Sequence, residues 1–98
     1  MLEQELVDRL GLFYKMFADP TRIQILALLC EKSLCVGEIV KQLGRTQSSV
    51  SHQLQTLRIA NFVKYEKVGK EVFYSLADDH IKVILKYGLE HIKEGGTL

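Results

Sequence analysis

Apolar residues recur at helical spacing near the start of the chain, with polar residues between them. Leu6, Leu10, Phe13 and Phe17 fall on one face of residues 3–17, which predicts an amphipathic helix. The same kind of pattern predicts three further helices, over residues 20–30, residues 36–43 and residues 47–59. The first half of the chain is therefore expected to be helical.

Start and stop signals divide these helices. Asp19 followed by Pro20 is typical of an N-cap with proline at the first helical position. Gly44 is expected to end the third helix, and Thr46 to cap the fourth. We therefore expect short connections and closely spaced helices.

The spacing of apolar residues changes in the second half of the chain. Residues 62–67 and 71–76 are rich in β-branched and aromatic residues and flank Gly69, which predicts a β-hairpin. A last helix is expected to begin at Asp78 or Asp79 and to end at the glycine pair 95–96. The predicted fold class is mainly α with a β-hairpin wing, a winged helix-turn-helix, and residues 1–98 are expected to form one domain.

The fourth helix has two different faces. Val50, Leu54 and Leu57 form an apolar stripe that predicts burial. The other face carries short polar side chains that can hydrogen-bond and are mostly uncharged, as base edges in a major groove require. The candidate base contacts are Ser48, Ser51, His52 and Gln55, with Gln47 at the helix start.

The formal net charge is +1, but its distribution is uneven. Residues 41–70 hold six Lys or Arg side chains against Glu66 alone, a local basic footprint typical of nucleic-acid binding. A solvated charged face is the ordinary alternative. The candidate phosphate contacts are Arg45, Lys64, Lys67 and Lys70.

The last helix carries four side chains of metal-ligand type, Asp78, His80, His91 and Glu94. His80 and His91 are eleven residues apart, about 16 Å along a helix, and project from the same side. One helix cannot bring all four to one ion, but two antiparallel copies can. Two oxygens and two nitrogens per ion suit Zn²⁺, and Co²⁺ or Ni²⁺ would also be accepted.

Three of these four residues, Asp78, His80 and His91, also have an ordinary explanation. Asp78 is a natural N-cap, and the two histidines could be half-buried interface residues. Along the same helix we expect Ile84 and Tyr87 to pack at a dimer seam. The neighbouring face is expected to cover the chain's own core through Ile81, Leu85 and Ile92.

Several segments resemble the ArsR/SmtB family of metal-responsive bacterial repressors. They are the recognition-helix segment TQSSVSHQL (residues 46–54), the segment LCVGEI (34–39), the wing VGKEVFYSL (68–76) and DDH (78–80). The resemblance implies a homodimer through the first and last helices, double-stranded operator DNA as partner, and release of DNA on metal binding. It also implies metal ligands in the pattern Asp-x-His and His-x-x-Glu, which Asp78, His80, His91 and Glu94 match.

A second branch of that family binds metal through Cys-x-Cys before the recognition helix. Here Cys35 stands at the first position, but Gly37 replaces the second cysteine, which counts against a thiolate site for soft ions. Two alternatives stay open at this point. One is a repressor that responds to a thiol or redox signal through Cys30 and Cys35; the other is a dimeric interaction module without DNA binding.

Other function classes are disfavoured. The chain has no glycine-rich phosphate loop and no nucleophile motif, so we do not expect an enzyme. Its apolar runs are too short for a membrane span, and its acidic start does not resemble a signal peptide. Two cysteines do not make a disulfide framework, and a cytoplasmic location is expected.

Overall fold

The computed structural model describes residues 1–95, in which five helices and three strands follow one another. They are α1 (Gln4–Lys15), α2 (Pro20–Glu31), β1 (Leu34–Cys35), α3 (Val36–Leu43), α4 (Gln47–Ile59), β2 (Val63–Val68), β3 (Glu71–Leu76) and α5 (Asp79–Gly95). The predicted order of four helices, a hairpin and a final helix is confirmed. Strand β1 was not predicted.

The predicted caps form the helix ends. Asp19 accepts a hydrogen bond from the backbone N–H of Arg22 at 2.9 Å, with Pro20 at the start of α2. The Thr46 hydroxyl accepts from the N–H of Ser49 at 3.1 Å and caps α4. Gly44 has a φ of 66°, the left-handed conformation that glycine adopts without strain, and it closes α3. The turn between α3 and α4 is thereby set by local residues.

The strands form one antiparallel sheet in the order β1-β3-β2. In the hairpin Val63 pairs with Leu76 and Val68 with Glu71, which leaves a two-residue turn that begins with Gly69 at a φ of 65°. Strand β1 pairs with β3 through Leu34 and Cys35. The wing is therefore attached to the start of α3 as well as to the end of α4.

The core lies between α2, α3, α4 and the base of the wing. Val50, Leu54 and Leu57 of α4 are completely buried, as predicted. The other buried apolar side chains are Ile25, Leu26, Leu29, Leu34, Ile39, Phe62, Val63 and Ile81. Because α4 is anchored along one whole face, its opposite face must lie on the surface.

Helix α1 packs differently from the rest, since none of its residues is buried. It is attached near its C-terminal end, where the rings of Phe13 and Phe17 lie 4.9 and 5.2 Å from that of Phe62. Its other apolar side chains are exposed, including Leu6 and Leu10. This pattern leaves an apolar face of α1 without a partner among residues 1–95.

Helix α5 carries a further apolar surface. Ile81 is buried and Leu85 packs against the core, as predicted. The prediction for Ile92 is wrong, because this side chain is 49% exposed. Ile92 instead lines an open apolar groove of about 470 Å³ with Tyr14 and Phe17. No helix within residues 1–95 has the length and apolar character needed to cross a membrane.

Candidate nucleic-acid interface and metal site

The polar face of α4 is a row of exposed hydrogen-bonding groups. It consists of the predicted base contacts Gln47, Ser48, Ser51, His52 and Gln55, all of which are exposed. The burial of Val50, Leu54 and Leu57 fixes this orientation, since the two faces lie on opposite sides of one helix. The structure therefore brings the five side chains together on one surface.

The start of α4 adds positive character to this surface. Arg45 is exposed in the short connection between Gly44 and the cap Thr46, directly before the helix N-terminus. Unpaired backbone N–H groups at a helix N-terminus favour anions, and a guanidinium next to them strengthens this preference. This end of α4 is suited to a phosphate.

The wing lysines are exposed but do not share one face. Lys64 and Lys67 are three residues apart in β2, so they project from opposite faces of the hairpin. Lys67 shares its face with Tyr65, whereas Lys64 pairs with Ser75 across the strands. Lys70 lies at the exposed turn. The three charges therefore reach solvent in different directions.

Arg58 is a further basic residue beside the candidate DNA contacts. It is exposed in the last turn of α4, and its guanidinium carbon lies 4.6 Å from the centre of the Tyr65 ring. This cation–π contact joins α4 to one face of the wing. The charge of Arg58 is evident from the sequence. Its contact with Tyr65, seven residues later, is not, because the turn between α4 and β2 brings the two side chains together.

Asp78 and His80 lie together where α5 begins. The backbone N–H of His80 donates to Oδ1 of Asp78 at 2.9 Å, and the His80 Nδ1 lies 3.4 Å from the same oxygen. The two side chains are 51% and 87% exposed, respectively. Partial desolvation raises the pKa of Asp78, but the hydrogen bonds and charge of His80 outweigh it, so the pKa lies below its usual value. Asp78 is thus an ionised cap whose side chain remains accessible.

His91 and Glu94 are exposed in the last turns of the same helix, far from Asp78 and His80 along its axis. Within residues 1–95, no three His, Cys, Asp or Glu side chains are close enough to share a metal ion. This agrees with the geometric argument that one helix cannot complete the site. Whether a second copy completes it stays a prediction.

The comparison with known proteins identifies the chain's relatives. Residues 19–65 match the model of the bacterial regulatory proteins of the arsR family. The HTH-type transcriptional repressor SmtB of Mycobacterium tuberculosis is 37% identical over 91 residues, which are 93% of this chain and 67% of that protein. The chain belongs to the ArsR family.

Another ArsR-type relative is named as a transcriptional repressor SmtB homolog of Synechocystis. It is 38% identical over 82 residues, which are 84% of this chain but 62% of the relative, so the match spans less than two thirds of that protein. The family match over residues 19–65 contains the recognition helix and the start of the wing. It does not reach the four candidate metal ligands.

Solved structures of the same fold agree with this membership. The crystal structure of Mycobacterium tuberculosis Rv0081 superposes with a TM-score of 0.87 at 32% identity and covers 94% of this chain and 93% of that one. The winged helix-turn-helix prediction is confirmed. Since the ArsR family consists of regulatory proteins, the expectation that the chain is not an enzyme agrees with its relatives.

The two cysteines of this ArsR-family chain are half-buried and form no disulfide in the described residues. Burial raises the pKa of the Cys30 thiol, an effect that Lys82 opposes and Glu31 reinforces. A raised pKa leaves less thiolate, the reactive form. Cys35 lies at the start of α3, where its backbone N–H donates to Glu38 Oε1 at 3.1 Å.

Proposed function

We propose that this chain is a homodimeric transcriptional repressor whose two α4 helices bind successive major grooves of a palindromic double-stranded operator. The observation that carries the proposal is the exposed, uncharged, hydrogen-bonding face of α4. A helix turned outward for solubility alone would more often present Lys and Glu there. Donors and acceptors of this kind match the edges of base pairs.

In this proposal the contacts divide into two classes. Base readout is assigned to Gln47, Ser48, Ser51, His52 and Gln55. Phosphate contacts are assigned to Arg45, Lys64, Lys67 and Lys70, since all four charges are exposed around α4 and the wing. A DNA partner of this kind would place the protein in the cytoplasm.

Dimerisation is assigned to the unpartnered apolar faces of α1 and α5. Leu6 and Leu10 are 48% and 46% exposed on α1, and Tyr87 and Ile92 are 63% and 49% exposed on α5. Such faces are costly in water and are expected to pair with a second copy. The twofold axis of that dimer would match the symmetry of a palindromic operator.

The proposed effector is zinc, with cobalt or nickel as chemically acceptable substitutes. Asp78 and His80 of one subunit, with His91 and Glu94 of the partner subunit, would supply two oxygen and two nitrogen donors. The donor set fits, because Asp78 is ionised and all four side chains are exposed. Bound metal would fix the angle between the subunits, and DNA affinity falls if that angle suits the operator poorly.

A pair of histidine variants tests the proposal. The His91→Ala protein should bind the DNA upstream of the operon that encodes this chain with wild-type affinity, but zinc should no longer release it from that DNA. His52→Ala is the matched variant: it should lose operator affinity yet still give the four-coordinate absorption of bound cobalt. Mobility shifts and cobalt spectra measure both, and a His91→Ala protein that is still released by zinc contradicts the metal assignment.

Salt dependence separates this function from an interaction module. If about six to ten phosphate contacts form per dimer, operator affinity should fall by roughly 10³ to 10⁵ between 50 and 200 mM salt. A complex insensitive to salt contradicts the proposed interface. The thiol alternative gains no support from Cys30, whose pKa is raised by burial; mass spectrometry of the oxidised protein is the test that would revive it.

A further inference from the structure

The side chain of Arg22 joins two helices that are distant in sequence. Its Nε donates to the carbonyl of Met16 at 3.0 Å, and its Nη2 to the carbonyl of Lys15 at 3.3 Å. Its Nη1 donates to Oε1 of Gln53 at 3.2 Å, across 31 positions of the sequence. Lys15 and Met16 form the C-terminal end of α1, and Gln53 belongs to α4. One guanidinium thus contacts both the proposed dimerisation helix and the recognition helix.

The end of α1 is a favourable place for this charge. The last carbonyls of a helix have no partner within it, and they carry the negative end of the helix dipole. A guanidinium is planar and presents several donors in a fixed fork, so it can bond two carbonyls and an amide at once. A lysine at position 22 would keep the charge but offer a single nitrogen.

The described hydrogen-bond partners of the Arg22 guanidinium include no carboxylate. In the part of the chain that the structure describes, the one contact of ion-pair length between a basic nitrogen and a carboxylate oxygen joins His80 to Asp78, and Arg22 has none. The guanidinium instead bonds backbone oxygens and a neutral amide, partners that fix direction rather than neutralise charge. The arrangement therefore favours positioning over simple charge compensation.

Gln53 is suited to receive this contact without touching DNA. It is half-buried and lies beside the buried stripe of α4, on the edge that faces α2. Counted at 100° per residue, it lies about 170° from the centre of the exposed polar face. A change at Gln53 can therefore alter the orientation of α4 while leaving the proposed base contacts chemically unchanged.

We propose that Arg22 is a positioning residue for operator binding, one that holds α4 to the C-terminal end of α1. Displacement of α1 at the dimer seam would then move the recognition helix with it. Helix α1 has no buried residue. Its described attachments near this end are the bonds of Arg22, the ring contacts of Phe13 and Phe17 with Phe62, and the packing of Met16 against the core. The inference rests on the proposed function, since it assigns Arg22 a role in DNA binding.

A double-mutant cycle tests the inference. Arg22→Met and Gln53→Met should each weaken operator binding by on the order of tenfold, because each removes the charged hydrogen bond between Arg22 and α4. The double variant should be no weaker than the weaker single variant, since both remove the same contact. Arg9→Met and Gln42→Met, at exposed positions, are the matched controls and should stay within twofold of wild type.

The salt dependence of binding distinguishes positioning from direct contact. If Arg22 acts through α4, its replacement lowers affinity and leaves the slope of log affinity against log salt unchanged. If Arg22 itself bound a phosphate, the slope would fall by about two, because the dimer would lose one contact from each subunit. Amide hydrogen exchange should also rise along α4 in both single variants while staying unchanged in α3.

Several results would overturn the inference: single effects that add in the double variant, a reduced salt slope, or operator affinity within twofold of wild type. Failure of the proposed function is distinguishable, because the wild-type protein would then bind no operator. In that case two measurements still decide whether Arg22 holds α4 in place. They are amide hydrogen exchange along α4 and the same double-mutant cycle measured on the free energy of unfolding. Unchanged exchange or additive unfolding effects would refute that role too.

Discussion

At the scale of single residues, Glu38 makes the stability of the fold sensitive to acid. Its carboxylate accepts a hydrogen bond from the backbone N–H of Cys35 at 3.1 Å. This bond is the main reason that the pKa of Glu38 lies below its usual value, and a hydrogen bond with the Cys35 side chain adds to the effect. A carboxyl whose pKa is lower in the folded state contributes stability above its unfolded pKa. That contribution is lost as pH falls through the folded pKa.

Glu38→Gln should therefore flatten the acidic side of the stability profile. The amide oxygen can still accept the Cys35 N–H, but it does not titrate in this range. Urea unfolding measured between pH 7 and pH 3 should give a smaller loss of stability for the variant than for wild type. Glu31→Gln, at an exposed carboxylate, is the control. Equal losses in Glu38→Gln and wild type would contradict the role of this cap.

Residue-level prediction from sequence worked where the chemistry is local. Asp19, Gly44 and Thr46 were read correctly as caps because their partners lie within a few positions. The Arg22–Gln53 contact was missed, since its partners are 31 positions apart. Nothing in either neighbourhood signals that contact; it exists only once α2 and α4 are packed together.

At the scale of elements, the wing divides its lysines between two faces. Lys67 shares a face with Tyr65, on which the guanidinium of Arg58 from α4 lies. Lys64 projects from the other face of the same strand. We therefore expect the two lysines to contribute unequally to DNA binding, with the larger share from the face that meets the recognition helix.

Lys67→Ala should weaken binding to all DNA sequences alike and lower the salt slope by about two, because the dimer loses one phosphate contact from each subunit. Lys64→Ala should change the slope by much less. Titrations at several salt concentrations, with operator and with unrelated DNA, give both quantities. Equal salt slopes for the two variants would mean that the wing contacts DNA through its edge, so that both lysines reach phosphates, rather than through one face.

Elements were predictable from sequence in proportion to their length and local signals. The bounds of α3 and α4 follow from caps and apolar stripes. Strand β1 has two residues, too few for an alternating pattern, and it exists because β3 pairs with it. The placement of Ile92 failed for a related reason: the sequence gives the apolar face of α5, but the angle of packing decides what that face covers.

At the scale of the whole molecule, the exposed apolar face of α1 makes the proposed assembly testable without reference to DNA or metal. Leu6 is 48% exposed and is not one of the side chains that pack against the core, so its replacement should leave the fold of the chain intact. In a twofold dimer each residue of the seam occurs twice. Loss of two leucine burials, at about 1.5–3 kcal/mol each, would raise the dissociation constant roughly 10² to 10⁴-fold.

Leu6→Glu should therefore sediment as a monomer at concentrations where wild type is a dimer. Leu12→Glu is the control on the same helix, because Leu12 is 65% exposed but lies off the Leu6–Leu10 stripe. The monomer should also lose high-affinity operator binding and the four-coordinate cobalt spectrum together, since both are proposed to need two chains. A monomeric Leu6→Glu protein that still binds cobalt with four ligands would place the metal site within one subunit. In that case metal binding could not release DNA by fixing the angle between the subunits.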